Sequence, residues 1–206
     1  MEARMEVEFW FEFGSTYSYP AAMRIEDEAR ACGIALRWRP FLLGPIFKSQ
    51  GWMDSPFNIY PVKGRYMWRD LERSCAAQGI PLRHPGRFPR NGIVAARIVA
   101  RFEEEPWIPA FVRGIYTANF AEDREISDPA VVASVLEAVG QPASVAGAAD
   151  TEEAKARLRA RSDEAIARGI FGAPSFFVAG ELFWGNDRLA DALAWATRDR
   201  ARRAAP

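Results

Sequence analysis

Ser15 lies between a strand-like pattern and a helix-like pattern, at a point where its side chain and the start of the helix can contact the same ligand. Residues 7–13 alternate between apolar and polar positions, and an amphipathic helix pattern follows from about residue 17. The helix start would offer free N–H groups and a positive dipole end to an anion. The sequence therefore predicts an anion site at Ser15, although a serine before a helix is also an ordinary N-cap.

Two later segments carry further candidates. Pro174 follows Ala173 at the start of an apolar run, where a proline is tolerated because the first residue of a strand can lack a ladder donor. We predict that the Ala173-Pro174 bond is cis, since Gly172 allows a tight turn before it. Asn186 and Asp187 precede the last helix pattern, in a position that is also typical of an Asx cap.

These candidates depend on elements that the patterns predict in order. Strand, helix and strand over residues 7–13, 17–32 and 34–39 indicate a parallel βαβ unit and an α/β fold. After a loop at 44–61 come helices, and then a hairpin at 175–184 and a closing helix at 188–197. The middle helices are predicted at 64–78, 91–104, 107–120, 129–139 and 152–168, with a loop at 142–150. In a βαβ unit the helix start lies at the carboxyl edge of the sheet, where ligands bind.

Composition excludes several classes of function. The 206 residues hold 27 basic and 27 acidic side chains, which disfavours a general nucleic-acid binder. Only two cysteines, Cys32 and Cys75, and one histidine, His84, are present, so we expect no metal site and no disulfide framework. Neither a Walker loop nor a G-x-G-x-x-G motif occurs, and no signal-like segment or 18-residue apolar run is seen. We expect a cytoplasmic protein that binds no membrane.

Five motifs together resemble the 2-hydroxychromene-2-carboxylate isomerase family. They are FEFGSTYSYPAA (11–22), YPVKGRYMWRDLER (60–73), FPRN (88–91), GIFGAPSFFV (169–178) and ELFWGNDRL (181–189). This family is close to the kappa-class glutathione transferases, within the DsbA-like branch of the thioredoxin fold. The resemblance implies a thioredoxin-like domain over residues 1–43 and 165–206, with a helical insertion over 44–164. It also implies a homodimer.

The resemblance assigns glutathione as the cofactor. Ser15 matches the family's catalytic serine, which neighbours the glutathione sulfur. Ala173, before Pro174, matches the residue whose main chain holds the cysteine of glutathione, and Asn186 and Asp187 match the pair that holds the γ-glutamyl end. The segment 15–18 stands where dithiol oxidoreductases of this fold carry Cys-x-x-Cys, so hydroxyls replace both sulfurs.

The far end of the glutathione site departs from the family. Lys63 matches a lysine near the glycine carboxylate. The family has an asparagine nine positions before this lysine, and here that position is Asp54. Asn58 is a candidate to replace the missing contact, and the sequence leaves this open.

The resemblance implies an isomerase that uses small aromatic substrates. Its expected reaction interconverts 2-hydroxychromene-2-carboxylate-type compounds and trans-o-hydroxybenzylidenepyruvate in aromatic hydrocarbon catabolism. Tyr17, Phe41, Trp68 and Asn91 are candidates for the substrate pocket, although aromatic residues at such positions are often core. A kappa-like glutathione transferase and a non-catalytic glutathione-binding protein of the DsbA family are the alternatives.

Overall fold

A four-stranded mixed sheet forms the centre of the protein. The computed structural model describes residues 5–204, apart from the side chains of residues 200, 201, 203 and 204. The strands are β1 (Glu6–Phe11), β2 (Ala35–Pro40), β3 (Ser175–Val178) and β4 (Glu181–Trp184), in the order β2-β1-β3-β4. β1 pairs with β2 in parallel and with β3 in antiparallel orientation, and β3 and β4 are antiparallel. The α/β fold predicted from the sequence is confirmed.

Helices surround this sheet and fill the chain between β2 and β3. The α-helices are α1 (Ser18–Ala31), α2 (Leu43–Ser49), α3 (Pro56–Ile59), α4 (Pro61–Ala77), α5 (Ile93–Arg101), α6 (Ile108–Phe120), α7 (Pro129–Ala138), α8 (Glu152–Ala167) and α9 (Leu189–Ala204). Short 3-10 helices span Ala143–Asp150 and Asn186–Arg188. No helix within residues 5–204 has the length and apolar character needed to cross a bilayer.

The predicted hairpin between β3 and β4 is present, with a two-residue loop. Ala179 and Gly180 form it, with φ angles of 49° and 89°. Two successive positive φ angles are typical of the type I′ turn, whose twist matches that of the flanking strands. The hairpin places Ser175 and Pro174 at the edge of the sheet where β1 ends.

Apolar side chains cover both faces of the sheet. Val7, Phe9 and Phe11 face the main core, as their alternation predicts. Trp10, which the alternation places on the opposite face with Glu8 and Glu12, is fully buried in a second cluster with Phe41 and neighbours. Strand alternation thus separates the two faces correctly, but it does not show which elements cover them.

Two segments predicted as loops are helical. The stretch 44–61 contains α2 and α3, and 142–150 is largely a 3-10 helix. In α3, Pro56 occupies the first turn, where its missing N–H costs nothing, and the Ser55 hydroxyl accepts the Phe57 N–H at 3.3 Å. Glycine and proline thus mark helix ends here. The domain boundaries at 43/44 and 164/165 stay a prediction, and α8 continues through the second one.

Candidate active site

The structure brings Ser15 against the residue before Pro174, 158 positions away. The Ser15 hydroxyl donates to the Ala173 carbonyl oxygen at 2.9 Å and accepts the N–H of Ser18, the first residue of α1, at 3.3 Å. The Ala173-Pro174 bond is cis, which confirms the prediction. Ser15 is therefore a helix-capping group and, at the same time, a hydroxyl aimed across the edge of the sheet.

Several main-chain donors around Ser15 have no partner. The N–H groups of Thr16 and Tyr17, directly before α1, find no acceptor among residues 5–204, and neither does the N–H of Ala173. Ser15, Tyr17 and Ala173 are each partly exposed. An anion placed beside the Ser15 hydroxyl would meet the positive end of α1 together with these donors.

Helix α6 holds the segment that leads to Ser15. The Tyr116 hydroxyl donates to the Glu12 carbonyl oxygen at 2.9 Å, and Asn119 Nδ2 donates to the Phe13 carbonyl oxygen at 3.1 Å. Both side chains are buried. Neither residue is among those predicted from the sequence, although two polar groups three positions apart on an otherwise apolar helix face are a signal of such a role.

Glu12 lies three residues before Ser15 and is more buried than the alternation predicts. Its Oε2 accepts the N–H of Gly14 at 3.0 Å. Burial raises the pKa of Glu12 to about 7, against the opposing effect of the Gly14 hydrogen bond. A side chain at Gly14 would begin 3.0 Å from this carboxylate and 3.2 Å from the Arg90 carbonyl oxygen, so the turn is closely packed.

Asn186 and Asp187 reach the same edge of the sheet through a turn bound to the cis-proline segment. The N–H of Gly185 donates to the Pro174 carbonyl oxygen at 2.9 Å. Gly185 has a φ of 117°, a conformation that favours glycine. Asn186 is buried and Asp187 is exposed. The structure thus gathers Ser15, Ala173, Pro174 and the Asn186-Asp187 pair as the sequence analysis expected.

Tyr17 links this edge to the helical region. Its hydroxyl donates to Asp70 Oδ2 on α4 at 3.0 Å, and Asp70 Oδ1 accepts Arg73 at 3.3 Å. Burial raises the pKa of Tyr17, and the hydrogen bond and charge of Asp70 raise it further, with a smaller contribution from Asp187. The phenol is therefore neutral at physiological pH and can act only as a neutral hydrogen-bonding group.

The other predicted pocket residues have different surroundings. Trp68 on α4 packs against His84 and Phe88, with ring centroids 4.5 and 5.1 Å apart. Phe41 is fully buried in the second core cluster, where Ala173 packs against its edge, so it supports the site from behind and is core. Asn91 is exposed and its Oδ1 accepts the Ile93 N–H at 2.9 Å, as a cap of α5.

Asp54 and Asn58 contact each other beside a second cis bond, Phe88-Pro89. Asn58 Nδ2 donates to both carboxylate oxygens of Asp54, at 3.2 and 3.1 Å, and to the Phe88 carbonyl oxygen at 3.3 Å. Lys63 is exposed in the first turn of α4, with its Nζ 5.8 Å from the centre of the Tyr60 ring. The amide donors of Asn58 are thus engaged, which leaves its Oδ1 for a ligand.

Comparison with known proteins identifies the family. The sequence profile of the DsbA-like thioredoxin domain matches residues 6–194. A 2-hydroxychromene-2-carboxylate isomerase of Sphingobium xenophagum is 33% identical over 190 residues, which cover 89% of this chain and 93% of that protein. The chain belongs to the 2-hydroxychromene-2-carboxylate isomerase family, in the DsbA-like thioredoxin group.

Other members of this group show the same agreement in length and fold. Glutathione S-transferase kappa 2 of Caenorhabditis elegans is 29% identical over 212 residues, covering 94% of each chain. A solved structure of a 2-hydroxychromene-2-carboxylate isomerase has a TM-score of 0.84 at 27% identity and covers 98% of this chain and 100% of its own. The isomerase family and its relation to kappa-class transferases, both expected from the sequence motifs, are confirmed.

The chemistry open to this family member is set by the absence of a thiol at residues 15–18. Cys32 lies just beyond the far end of α1, and Cys75 is buried on α4. Burial raises the pKa of Cys75 to about 11, which makes its thiolate scarce. Residues 15–18 therefore cannot form a dithiol redox pair, and the polar groups that they offer to a ligand are the Ser15 hydroxyl and main-chain N–H groups.

Proposed function

We propose that the protein is a glutathione-dependent isomerase that interconverts 2-hydroxychromene-2-carboxylate-type compounds and trans-o-hydroxybenzylidenepyruvate. Its role would be in aromatic hydrocarbon catabolism. The observation that carries the proposal is the Ser15 hydroxyl, held at the start of α1 and 2.9 Å from the Ala173 carbonyl oxygen, in a segment without cysteine. The names of its relatives support the same reaction class.

The donors and acceptors at the site fit glutathione. When bound, glutathione supplies the thiol that adds to the substrate and leaves again. The Ser15 hydroxyl and the unpaired N–H groups of Thr16 and Tyr17 suit its thiolate, and the main chain of Ala173 suits its extended peptide part. The Asp187 carboxylate suits an α-amino group, and Lys63 a terminal carboxylate.

Ser15 must exchange one hydrogen-bond partner for another when the site fills. Its hydroxyl now donates to the Ala173 carbonyl oxygen. A ligand N–H that pairs with this oxygen would free the Ser15 hydroxyl to donate to sulfur. One hydrogen bond to a charged group contributes about 1.5 to 3 kcal/mol, which corresponds to lowering the thiol pKa by one to two units.

The substrate side of the site lies toward α4. Tyr17 is held there by Asp70 at 3.0 Å as a neutral phenol, and Trp68 presents a rigid aromatic surface packed on His84 and Phe88. Such groups suit a flat aromatic acid. At the glycine end of the glutathione site, Asp54, which replaces the family asparagine, is bonded to Asn58, so Asn58 Oδ1 and Lys63 Nζ are the polar groups offered there.

A kappa-like glutathione transferase is the second candidate, because the kappa transferase of Caenorhabditis elegans covers 94% of this chain. The same Ser15 site would serve both reactions. An isomerase recovers its glutathione after every turnover, and a transferase consumes one molecule for each product.

Turnover on a chromene carboxylate tests the proposal. With glutathione at a tenth of the substrate concentration, we expect many turnovers per glutathione, no accumulated conjugate by mass spectrometry, and no activity without glutathione. Product that stops at one equivalent of glutathione would favour the transferase. Glutathione binding without isomerisation or conjugation of the chromene carboxylate would favour the non-catalytic protein. A cytoplasmic location and a homodimer stay predictions.

A further inference from the structure

Arg24 connects α1 to the turn that carries Asn186 and Asp187. Its Nη2 donates to the main-chain oxygen of Asn186 at 3.0 Å and to the side-chain Oδ1 of the same residue at 2.9 Å. Its Nη1 donates to Glu28 Oε1 at 2.6 Å. One guanidinium, with the side chain 23% exposed, thus bridges segments 162 positions apart.

This contact determines which way the amide of Asn186 points. A guanidinium can only donate hydrogen bonds, so the oxygen of the amide must face Arg24 and the nitrogen must face away. Asn186 Nδ2 has no acceptor among residues 5–204. The oriented amide therefore leaves two N–H donors for a ligand, beside the carboxylate of Asp187.

The placement of Arg24 leaves one of its donors without a partner and restrains the turn at Asn186. Its Nε is buried and has no partner among the described residues, which is an unfavourable position for a donor. The main-chain bond to Asn186 also restrains the turn after Gly185, whose N–H is tied to the Pro174 carbonyl oxygen. Arg24 thus holds the Asn186 turn in register with the cis-proline segment.

We infer that Arg24 is a positioning residue that fixes the Asn186 amide as a carboxylate donor and so selects the γ-glutamyl end of glutathione. The α-carboxylate of that end would accept the two N–H groups of Asn186, while Asp187 receives the α-amino group. This inference rests on the proposed function, because it names a determinant of the same glutathione site.

Calorimetry with two peptides tests this role. The dipeptide Cys-Gly lacks the γ-glutamyl group that Asn186 would bind and carries a free amino group in its place. We expect Arg24→Gln to weaken glutathione binding roughly 10- to 100-fold, with no change for Cys-Gly, and to raise the KM for glutathione without changing kcat. Arg24→Lys, which keeps a charged donor, should recover part of the affinity. Arg30→Gln, on the exposed side of the same helix, is the matched control and should bind as the wild type does.

A double-mutant cycle separates positioning from a direct contact. If Arg24 acts through Asn186, Arg24→Gln combined with Asn186→Ala should bind glutathione no more weakly than Asn186→Ala alone, within about threefold. Additive losses, an unchanged affinity of Arg24→Gln, or equal losses for both peptides would overturn the inference.

A second variant covers the case in which Arg24→Gln does not fold. Asn186→Asp keeps an acceptor for Arg24 but removes the N–H donors. This variant should therefore fold and lose affinity for glutathione, with no change in its affinity for Cys-Gly. Wild-type affinity in Asn186→Asp would overturn the inference. No glutathione binding by the wild-type protein would overturn the proposed function as well, whereas normal wild-type binding with unaffected variants would overturn only the role of Arg24.

Discussion

Glu12→Gln should remove a pH-dependent loss of stability. Burial raises the pKa of the Glu12 carboxyl from 4.5 to about 7, so between these pH values the folded state binds a proton that the unfolded chain releases. The stabilising contribution of this proton is complete below pH 4.5 and is lost as the pH rises through 7. At 1.4 kcal/mol per pH unit, the loss between pH 5 and pH 8 is about 2 to 3 kcal/mol.

Urea unfolding of both proteins at pH 5 and pH 8 measures this effect. Glutamine keeps the size of the side chain and an oxygen for the Gly14 N–H, so Glu12→Gln should lack the decline and exceed the wild type in stability at pH 8 by about 2 to 3 kcal/mol. Glu181→Gln, on the exposed strand β4, is the control and should follow the wild type. Parallel declines in the wild type and Glu12→Gln would refute the argument that burial keeps this carboxyl protonated.

Three further outcomes are expected. Ser15→Ala should slow turnover roughly 10- to 1,000-fold and move the pH-rate profile to higher pH, since one preorganised donor to the thiolate is lost; an unchanged profile would leave Ser15 as a cap only. Asp187→Ala should weaken glutathione binding by about 1.5 to 3 kcal/mol in calorimetry, and Asp191→Ala, an exposed residue paired with Arg188, should not. At pH 8, mass spectrometry should find Cys32 alkylated before Cys75. The raised pKa and burial of Cys75 should make its alkylation about 100-fold slower than in the unfolded chain. Equal alkylation rates for the two cysteines would contradict this.

Local patterns predicted most of the elements because each pattern reports the surroundings of single residues. The alternation in β1, the helical spacing of α1 and the Ala-Gly turn between β3 and β4 all identified elements that the structure contains. The segments α2 and α3 were missed because their glycine and proline residues are typical of loops and of helix starts alike. Only capping contacts, such as the one between Ser55 and Phe57, distinguish a helix start from a loop.

The candidate site was predicted in part, from the change of periodicity at Ser15 and from the motifs that carry the other residues. Ser15 and Pro174 are recognisable because a hydroxyl before a helix and a proline at a strand start are local features. Tyr116, Asn119 and Arg24 are not recognisable in this way, since their roles depend on which carbonyl oxygens they face. Phe41 was assigned to a pocket by its aromatic character, but its burial behind Ala173 depends on packing.

What the sequence determines by itself is the kind of surface each segment presents: an apolar strand, a one-sided helix, a hydroxyl at a helix start without a thiol beside it. The tertiary structure decides which of these surfaces contact each other. Ser15 reaches Ala173, and Arg24 reaches Asn186, across about 160 residues. Only the assembled sheet and its covering helices bring such groups within 3 Å of each other, and only the burial that they cause raises the pKa of the Glu12 carboxyl to about 7.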